Sequence, residues 1–241
     1  MEPVPAPRAN KDPASLTFVV PVLNEASSIS SFITSLRAGC EKPCEIIVVD
    51  GGSSDRTAEL ARPESDHVIV SQRGRATQMN AGARNASGTI LCFVHADSTL
   101  PPAPDQAIRN ALLPEQRHWG RFDVRLSGRH PLLRVVEHLM NTRSRLTGIC
   151  TGDQAMFMTR ELFDTAGGFP EIALMEDIAL SRALRSYGRP ACLRQKLVTS
   201  SRRWENQGIL RTIVLMWKLR LLYFFGADPA RLAQRYYGRE D

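Results

Sequence analysis

The chain has 241 residues, 43% hydrophobic and 23% charged, enough for one substantial core and unlike the composition of a disordered or fibrous protein. Lys plus Arg number 31 against 25 Asp plus Glu, a formal charge of +6 that suits an anionic partner. The basic residues are dispersed without an RNA- or DNA-binding signature, which argues against nucleic acid, and the five cysteines lack zinc-site spacing, which fits a reduced, cytoplasmic setting.

Residues 1–15, MEPVPAPRANKDPAS, are proline-rich, lack the apolar run of a signal peptide and read as a disordered lead. Leu16–Val22 (LTFVVPV) is a buried strand. Residues 24–30 open a helix with Ile29, Phe32, Ile33 and Leu36 at helical spacing, ended by Gly39. Residues 45–49 (EIIVV) form a second buried strand that runs into a turn-rich loop at 50–55 and a short helix over 57–61. A third strand at 67–70, a helix at 77–86 and a fourth strand at 89–94 (TILCFV) follow, the last ending at His95-Ala96-Asp97. Continuous apolar strands alternating with helices predict an α/β fold, a mainly parallel central sheet with helices on both faces. Ligands of such sheets bind beyond the carboxyl ends of the strands. Asn24-Glu25, residues 50–55 and residues 95–97 each lie just past a strand end, so they are expected to converge on one crevice.

The second half is less regular. Residues 131–145 read as helix, 154–159 as strand, 177–187 as a helix ended by Gly188, and 191–199 as a late strand. Residues 209–225 are strongly apolar, but Arg211, Lys218 and Arg220 interrupt them, and the run is shorter than the roughly 20 residues of a spanning helix. Such a helix packs on the domain or rests on a membrane surface with Trp217, Tyr223, Phe224 and Phe225 as anchors.

No GxGxxG follows the first strand and no GxxxxGK[ST] occurs, which excludes the dinucleotide-binding and P-loop solutions. Asp50, ending the second strand, either accepts hydrogen bonds from a base or ribose or bonds its own turn, and Gly51 lets a ligand approach the backbone. His95 and Asp97 point to the same side of an extended segment and can share a divalent cation, the alternative for Asp97 being a turn cap. Arg73 and Arg75, ahead of a helix N-terminus, suit phosphate oxygens or form a solvated loop. Glu176-Asp177 opens a helix, as an N-cap or as a general base.

Several segments carry a likeness in order: PVLNE at 21–25, VVDGGSSDRT at 48–57, NAGARNASG at 80–88, HAD at 95–97, GDQAMF at 152–157, GGF at 167–169 and MED at 175–177. The ordered set resembles glycosyltransferase family 2, and in finer detail its bacterial radical-SAM/selenodomain-associated branch. The resemblance implies a GT-A fold, a UDP- or GDP-type sugar donor with Mn or Mg, and inversion by direct displacement. It places Pro21, Asn24 and Glu25 along the nucleoside and Asp50 and Gly51 at the base or ribose. Arg73, Arg75, Asn80 and Ala96 join the donor site, and Arg203-Trp204 lies near the diphosphate. Asp97 becomes the metal-binding acid and Asp177, with Glu176, the catalytic base. His95 stands where the family carries the first acid of its DxD motif; an imidazole there favours Mn over Mg, or bonds the ribose instead.

The expectation is therefore one domain over 16–204, with a nucleotide-binding half at 16–100 and an acceptor half at 101–204, followed by an apolar helix and tail at 205–241. The acceptor is expected to be a lipid or a phosphorylated small molecule, as Arg121, Arg125, Arg129, Arg134, Arg143 and Arg145 hint. The protein would be cytoplasmic, or peripheral on the inner membrane face. A nucleotidyltransferase would need a glycine-rich, basic first loop, which Leu23-Asn24-Glu25 is not. His95 motivates a non-catalytic sugar-nucleotide module, against which Asp97 and Asp177 count.

Overall fold

The computed structural model describes residues 14–112 and 117–238. The expected disordered lead falls almost wholly outside the described residues. Ser15 does not: its carbonyl accepts the Ile90 N–H at 2.9 Å, so order begins ahead of the first strand.

Strands β1 (Leu16–Val22), β2 (Glu45–Asp50), β3 (His67–Val70) and β4 (Ile90–Phe93) lie parallel in the order β3-β2-β1-β4. Their apolar runs are continuous because both faces are covered. Phe18 and Val20 of β1 meet Ile29, Phe32, Ile33 and Leu36 of α1 (Ile29–Gly39) on one face. Val19, with Ile47 and Val49 of β2, meets Ala76, Met79 and Ala83 of α3 (Arg75–Asn85) on the other. The short α2 (Thr57–Ala61) joins β2 to β3. A methyl group at Gly82 would stand 2.3 Å from Val19 Cγ1, so the close seating of α3 depends on that glycine.

The sheet continues with β7 (Met156–Thr159), β6 (Trp119–Leu126), β8 (Ala191–Thr199) and β5 (Ser98–Thr99), eight strands in all. Here β7 runs antiparallel to β4 and β6, so the parallel half carries an antiparallel extension. Helices α4 (Pro104–Leu112), α5 (Pro131–Thr147), α6 (Arg160–Thr165) and α7 (Glu176–Leu184) pack around it. Three C-terminal helices, α8 (Arg202–Gln207), α9 (Ile209–Phe224) and α10 (Pro229–Tyr237), follow β8.

Several expected boundaries move. Asn24 adopts φ +56°, and the Glu25 carbonyl takes the Ser28 and Ile29 N–H groups in a turn, so α1 starts at Ile29. α3 starts at Arg75, which places that arginine in the helix's first turn instead of a preceding loop. The residue ahead of α7 is Met175 at φ +73°, so neither Glu176 nor Asp177 is the N-cap. The expected strand at 154–159 shortens to β7 behind a tight 3₁₀ turn at Gly152–Gln154. Strand β6 was not among the expected elements, although Phe122, Val124 and Leu126 alternate with Arg121, Asp123 and Arg125 at the period of a strand. Arg121 is nonetheless fully buried, since its guanidinium pairs with Asp123 and donates to the Asn141 carbonyl at 3.1 Å.

Candidate active site

A crevice of about 820 Å³ opens beyond the carboxyl ends of β1 and β4. It is lined by Pro21, Leu23 and Glu25 after β1, by Arg73, Arg75 and Gln78 at the start of α3, and by His95, Ala96 and Asp97 after β4. Asp153 and, from α10, Ala233, Gln234 and Tyr237 complete the lining. Gln78 fixes the strand ends: its Nε2 donates to the Val22 and Val49 carbonyls at 2.9 and 2.8 Å.

Charge in the crevice is concentrated. The protein around Asp97 removes enough bulk water to raise its carboxyl above the ordinary range; Asp153 and Glu25 raise it further, and Arg75 opposes them. Burial first, and Arg75 second, hold the His95 imidazole down to about 3, against an upward pull from Asp177. His95 is therefore neutral near pH 7, with a nitrogen lone pair to offer.

His95 also lines a smaller adjoining cavity with Gly152, Glu176 and Asp177. A methyl group at Gly152 would stand 2.7 Å from His95 Nε2, so the ring rests directly on that backbone. The Gly152 N–H donates to Asp177 Oδ2 at 2.8 Å, and the Ile178 N–H donates to Oδ1 at 2.7 Å. Two backbone donors thus fix the Asp177 carboxylate beside the imidazole. Glu176 is 5% exposed; burial, then the neighbouring Asp177, pushes its carboxyl up to about 7, with Arg75 opposing. The arrangement combines a neutral imidazole, a fixed carboxylate, a tuned carboxyl and a group of cationic and anionic side chains, the inventory of an acid–base site that handles an anionic ligand.

Residues 17–160 match the family model described as Glycosyl transferase family 2. The chain belongs to this family. Among curated relatives, the undecaprenyl-phosphate 4-deoxy-4-formamido-L-arabinose transferase of Pectobacterium carotovorum is 36% identical over 102 residues, 38% of this chain and 31% of that protein. Its Yersinia enterocolitica counterpart is 36% identical over 98 residues, 36% of this chain and 30% of that protein. The match thus spans less than a third of these relatives' length. Of solved structures, a Pyrobaculum calidifontis mannosyltransferase in complex with GDP-Man and Mn2+ aligns at TM-score 0.57 and 24% identity over 76% of this chain and 56% of that one. A Mycobacterium tuberculosis glucosyl-3-phosphoglycerate synthase with Mn2+, UDP and glucosyl-3-phosphoglycerate aligns at 0.57 and 23%, over 77% and 70%. These likenesses show the fold, the GT-A arrangement expected from the sequence.

With the chain placed in family 2, the expected site residues divide. Pro21, Glu25, Arg73, Arg75, His95, Ala96 and Asp97 line the crevice, and Glu176 and Asp177 line the cavity joined to it through His95. Others are engaged elsewhere. Asn24 is exposed, and its Oδ1 accepts from the Ser54 N–H at 2.9 Å. Asp50 is buried, and its Oδ1 accepts from the Ser53 N–H and hydroxyl at 2.8 and 2.7 Å, the turn-bonding alternative. The Gly51 N–H donates to the Val22 carbonyl. Asn80 spends both ends of its amide on the Phe169 backbone, at 2.8 and 2.9 Å. Arg203 stacks on the Tyr236 ring at 3.5 Å and donates to its carbonyl, holding α10 at the crevice rim, while Trp204 packs against the cluster of Val124, Leu126 and Leu133.

The arginines read as an acceptor hint divide too. Arg121 and Arg145 pair with Asp123, and Arg134 pairs with Glu137 at 2.9 Å. Arg143 differs: all three guanidinium nitrogens are buried without a hydrogen-bond partner, the one complete guanidinium in that state among the described residues. Burial and the charge of Arg220 lower its pKa to about 10, while Asp177 and Asp153 counteract them. Sequence reasoning missed Asp153, Arg220 and the α10 residues. Asp153 sat inside a quoted motif without a role, and α10 carried no strong apolar run.

Among the described residues, no cluster of three His, Cys, Asp or Glu side chains can hold an ion alone. Asp97, Asp153 and Glu25 do line the same crevice, carboxylates that substrate phosphates would have to complete for a divalent cation to bind there. One or two carboxylates completed by substrate phosphates is the usual way Mg²⁺ is bound. Arg75 adds positive charge for those phosphates in the same crevice.

Proposed function

We propose that this chain is an inverting glycosyltransferase that moves a sugar from a UDP-type nucleotide-diphospho-sugar onto a phosphate-bearing acceptor, lipid-linked or small, at the cytoplasmic face of a membrane. The observation that carries this reading is the meeting of Asp97, His95, Arg75 and the Glu176–Asp177 pair around two joined cavities at the strand ends of a family 2 chain. The nucleoside runs along Pro21, Leu23 and Glu25. Arg73, Arg75 and the positive end of α3 receive the diphosphate. Asp97 and Asp153 would hold Mn or Mg, which when bound neutralises the leaving diphosphate. Asp177, held by two backbone N–H groups, takes the proton of the attacking acceptor hydroxyl, the acceptor's phosphate serving only in binding. The bond from C1 to the diphosphate breaks as the acceptor oxygen bonds C1 from the opposite face, so a single displacement inverts the centre.

Arg143 supports an anionic acceptor, since a buried guanidinium without a partner is costly and an acceptor phosphate would satisfy it. Curated relatives named for transfer to undecaprenyl phosphate point the same way. The test is a panel of UDP- and GDP-sugars with Mn, read by thermal shift and by hydrolysis of the donor. A UDP-sugar should raise the melting temperature and be slowly hydrolysed. No shift with any donor ends the reading. Binding without hydrolysis or transfer returns the chain to a non-catalytic module.

A further inference from the structure

Among the described residues, most of the large exposed apolar side chains gather on two neighbouring helices. α9 and its C-terminal cap carry Leu210, Val214, Trp217, Leu221, Phe224 and Phe225; α5 carries Val135, Leu139 and Leu146. Single exposed apolar residues are normal, but a concentration on one region marks an interface. On α9 the spacing 210, 214, 217, 221, 224 runs +4, +3, +4, +3, a single stripe along the helix. Trp217 is 66% exposed and Phe224 77%. The inward side is already occupied, with Leu219 fully buried among Leu174, Met175 and Leu232. α9 is therefore apolar inside and out while lying at the surface, and its outer stripe stays exposed among the described residues.

The charges bordering the stripe select the partner. Arg211 and Lys218 are exposed, seven residues apart and one step round the helix from the stripe, and α9 contains no acidic residue. A second copy would bring the same basic edge against itself in a two-fold contact, whereas anionic headgroups complement it. No helix among the described residues is long and apolar enough to cross a membrane, so the geometry is that of a helix lying in the interface plane.

We propose that the outer face of α9, continued by α5, docks on a bilayer containing anionic lipid. Trp217, Phe224 and Phe225 lodge in the headgroup boundary, and Arg211 and Lys218 meet lipid phosphates. The proposal rests on the glycosyltransferase reading only for the purpose of docking: α9 leads into α10, which lines the crevice, so a docked α9 brings a lipid-borne acceptor to the site.

The experiment is flotation of the full chain with phosphatidylcholine vesicles and with vesicles enriched in phosphatidylglycerol, at low and high salt. The W217E/F224E variant is compared with Val70→Ser, an exposed apolar residue on the edge strand β3. The wild type and Val70→Ser should float with anionic vesicles, less at high salt, and W217E/F224E should fall by roughly tenfold or more. Arg211→Glu with Lys218→Glu should lower recovery on anionic vesicles and leave phosphatidylcholine recovery unchanged. A donor-induced thermal shift in every variant reports folding and the crevice separately. A chain that floats but binds no donor sustains docking and ends the glycosyltransferase reading; a chain that binds donor but stays with the soluble fraction does the reverse. Equal flotation of W217E/F224E and wild type overturns the proposal, as does a wild-type dimer in light scattering that W217E/F224E abolishes, which would assign the face to a second copy.

Discussion

Asn80→Ala distinguishes scaffold from ligand binding at a position inside a family motif. Asn80 lies on α3, 9% exposed, with Nδ2 donating to the Phe169 carbonyl at 2.8 Å and Oδ1 accepting the Phe169 N–H at 2.9 Å. The Phe169 ring packs edge-on against Phe93 at 4.9 Å, next to Phe163 at 5.8 Å, so the bonded segment is anchored in the core. Alanine would leave two buried backbone groups unpaired at about 1–3 kcal/mol each, and its better helix propensity would return only about 0.5 kcal/mol. With partial access of water, the net loss is about 2–4 kcal/mol, and at about 2–4 °C per kcal/mol the melting temperature should fall by roughly 5–15 °C. Urea titration should show a lower midpoint with an unchanged slope. Donor affinity, measured by calorimetry where the variant is still folded, should stay within about threefold, under 1 kcal/mol. Stability within about 0.5 kcal/mol of wild type, together with lost donor binding, would show that the amide serves the ligand and that its bonds to Phe169 are incidental.

Three further outcomes follow from the site. Asp177→Asn should cut transfer by a factor on the order of 10² or more while donor affinity, read by calorimetry, is retained; a near-normal rate would remove Asp177 from the proton-accepting role. The Glu176 carboxyl, raised to about 7 by burial and Asp177, binds its proton more tightly folded than unfolded. Stability should therefore fall as pH rises from the ordinary carboxylate range through about 7, by on the order of 3 kcal/mol, and Glu176→Gln should flatten that slope in urea titrations between about pH 5 and 8; an equally steep slope in the variant would refute the assignment. His95→Asp restores a carboxylate where an imidazole now favours Mn, so the ratio of Mg- to Mn-supported thermal shift by donor should rise, and an unchanged ratio would mean that His95 ligates nothing.

The parallel half of the sheet was legible because each strand is buried on both faces, and such strands read as unbroken apolar runs. Leu16–Val22 and residues 45–49 needed no further context. β6 alternates apolar with charged residues instead, a pattern that does not reveal the burial of Arg121 and Asp123. These two satisfy each other and Arg145, a compensation that only tertiary structure supplies. The starts of α1 and α7 moved because Asn24 and Met175 occupy left-handed backbone, a region that asparagine tolerates but that no composition rule assigns to methionine. α10 is anchored by Arg203 stacking on Tyr236, a contact between residues 33 positions apart that no local pattern reveals.

Motifs in this family carry two kinds of meaning that a sequence alone cannot separate. In residues 80–88, Asn80 ties down Phe169 and Gly82 admits Val19, so the segment's sequence is dictated by packing. Residues 95–97 line the crevice instead, and under the proposed function their sequence answers to a ligand. The distinction lies in where the polar atoms are spent. Asp50 and Asn80 have used theirs on backbone groups, whereas Asp97 keeps its carboxylate toward open space at a cost in its own pKa. Under the proposed function, Asp97, Asp153 and Glu25 line one crevice with Arg75, and a cation shared with substrate phosphates would be the partner that balances these carboxylates.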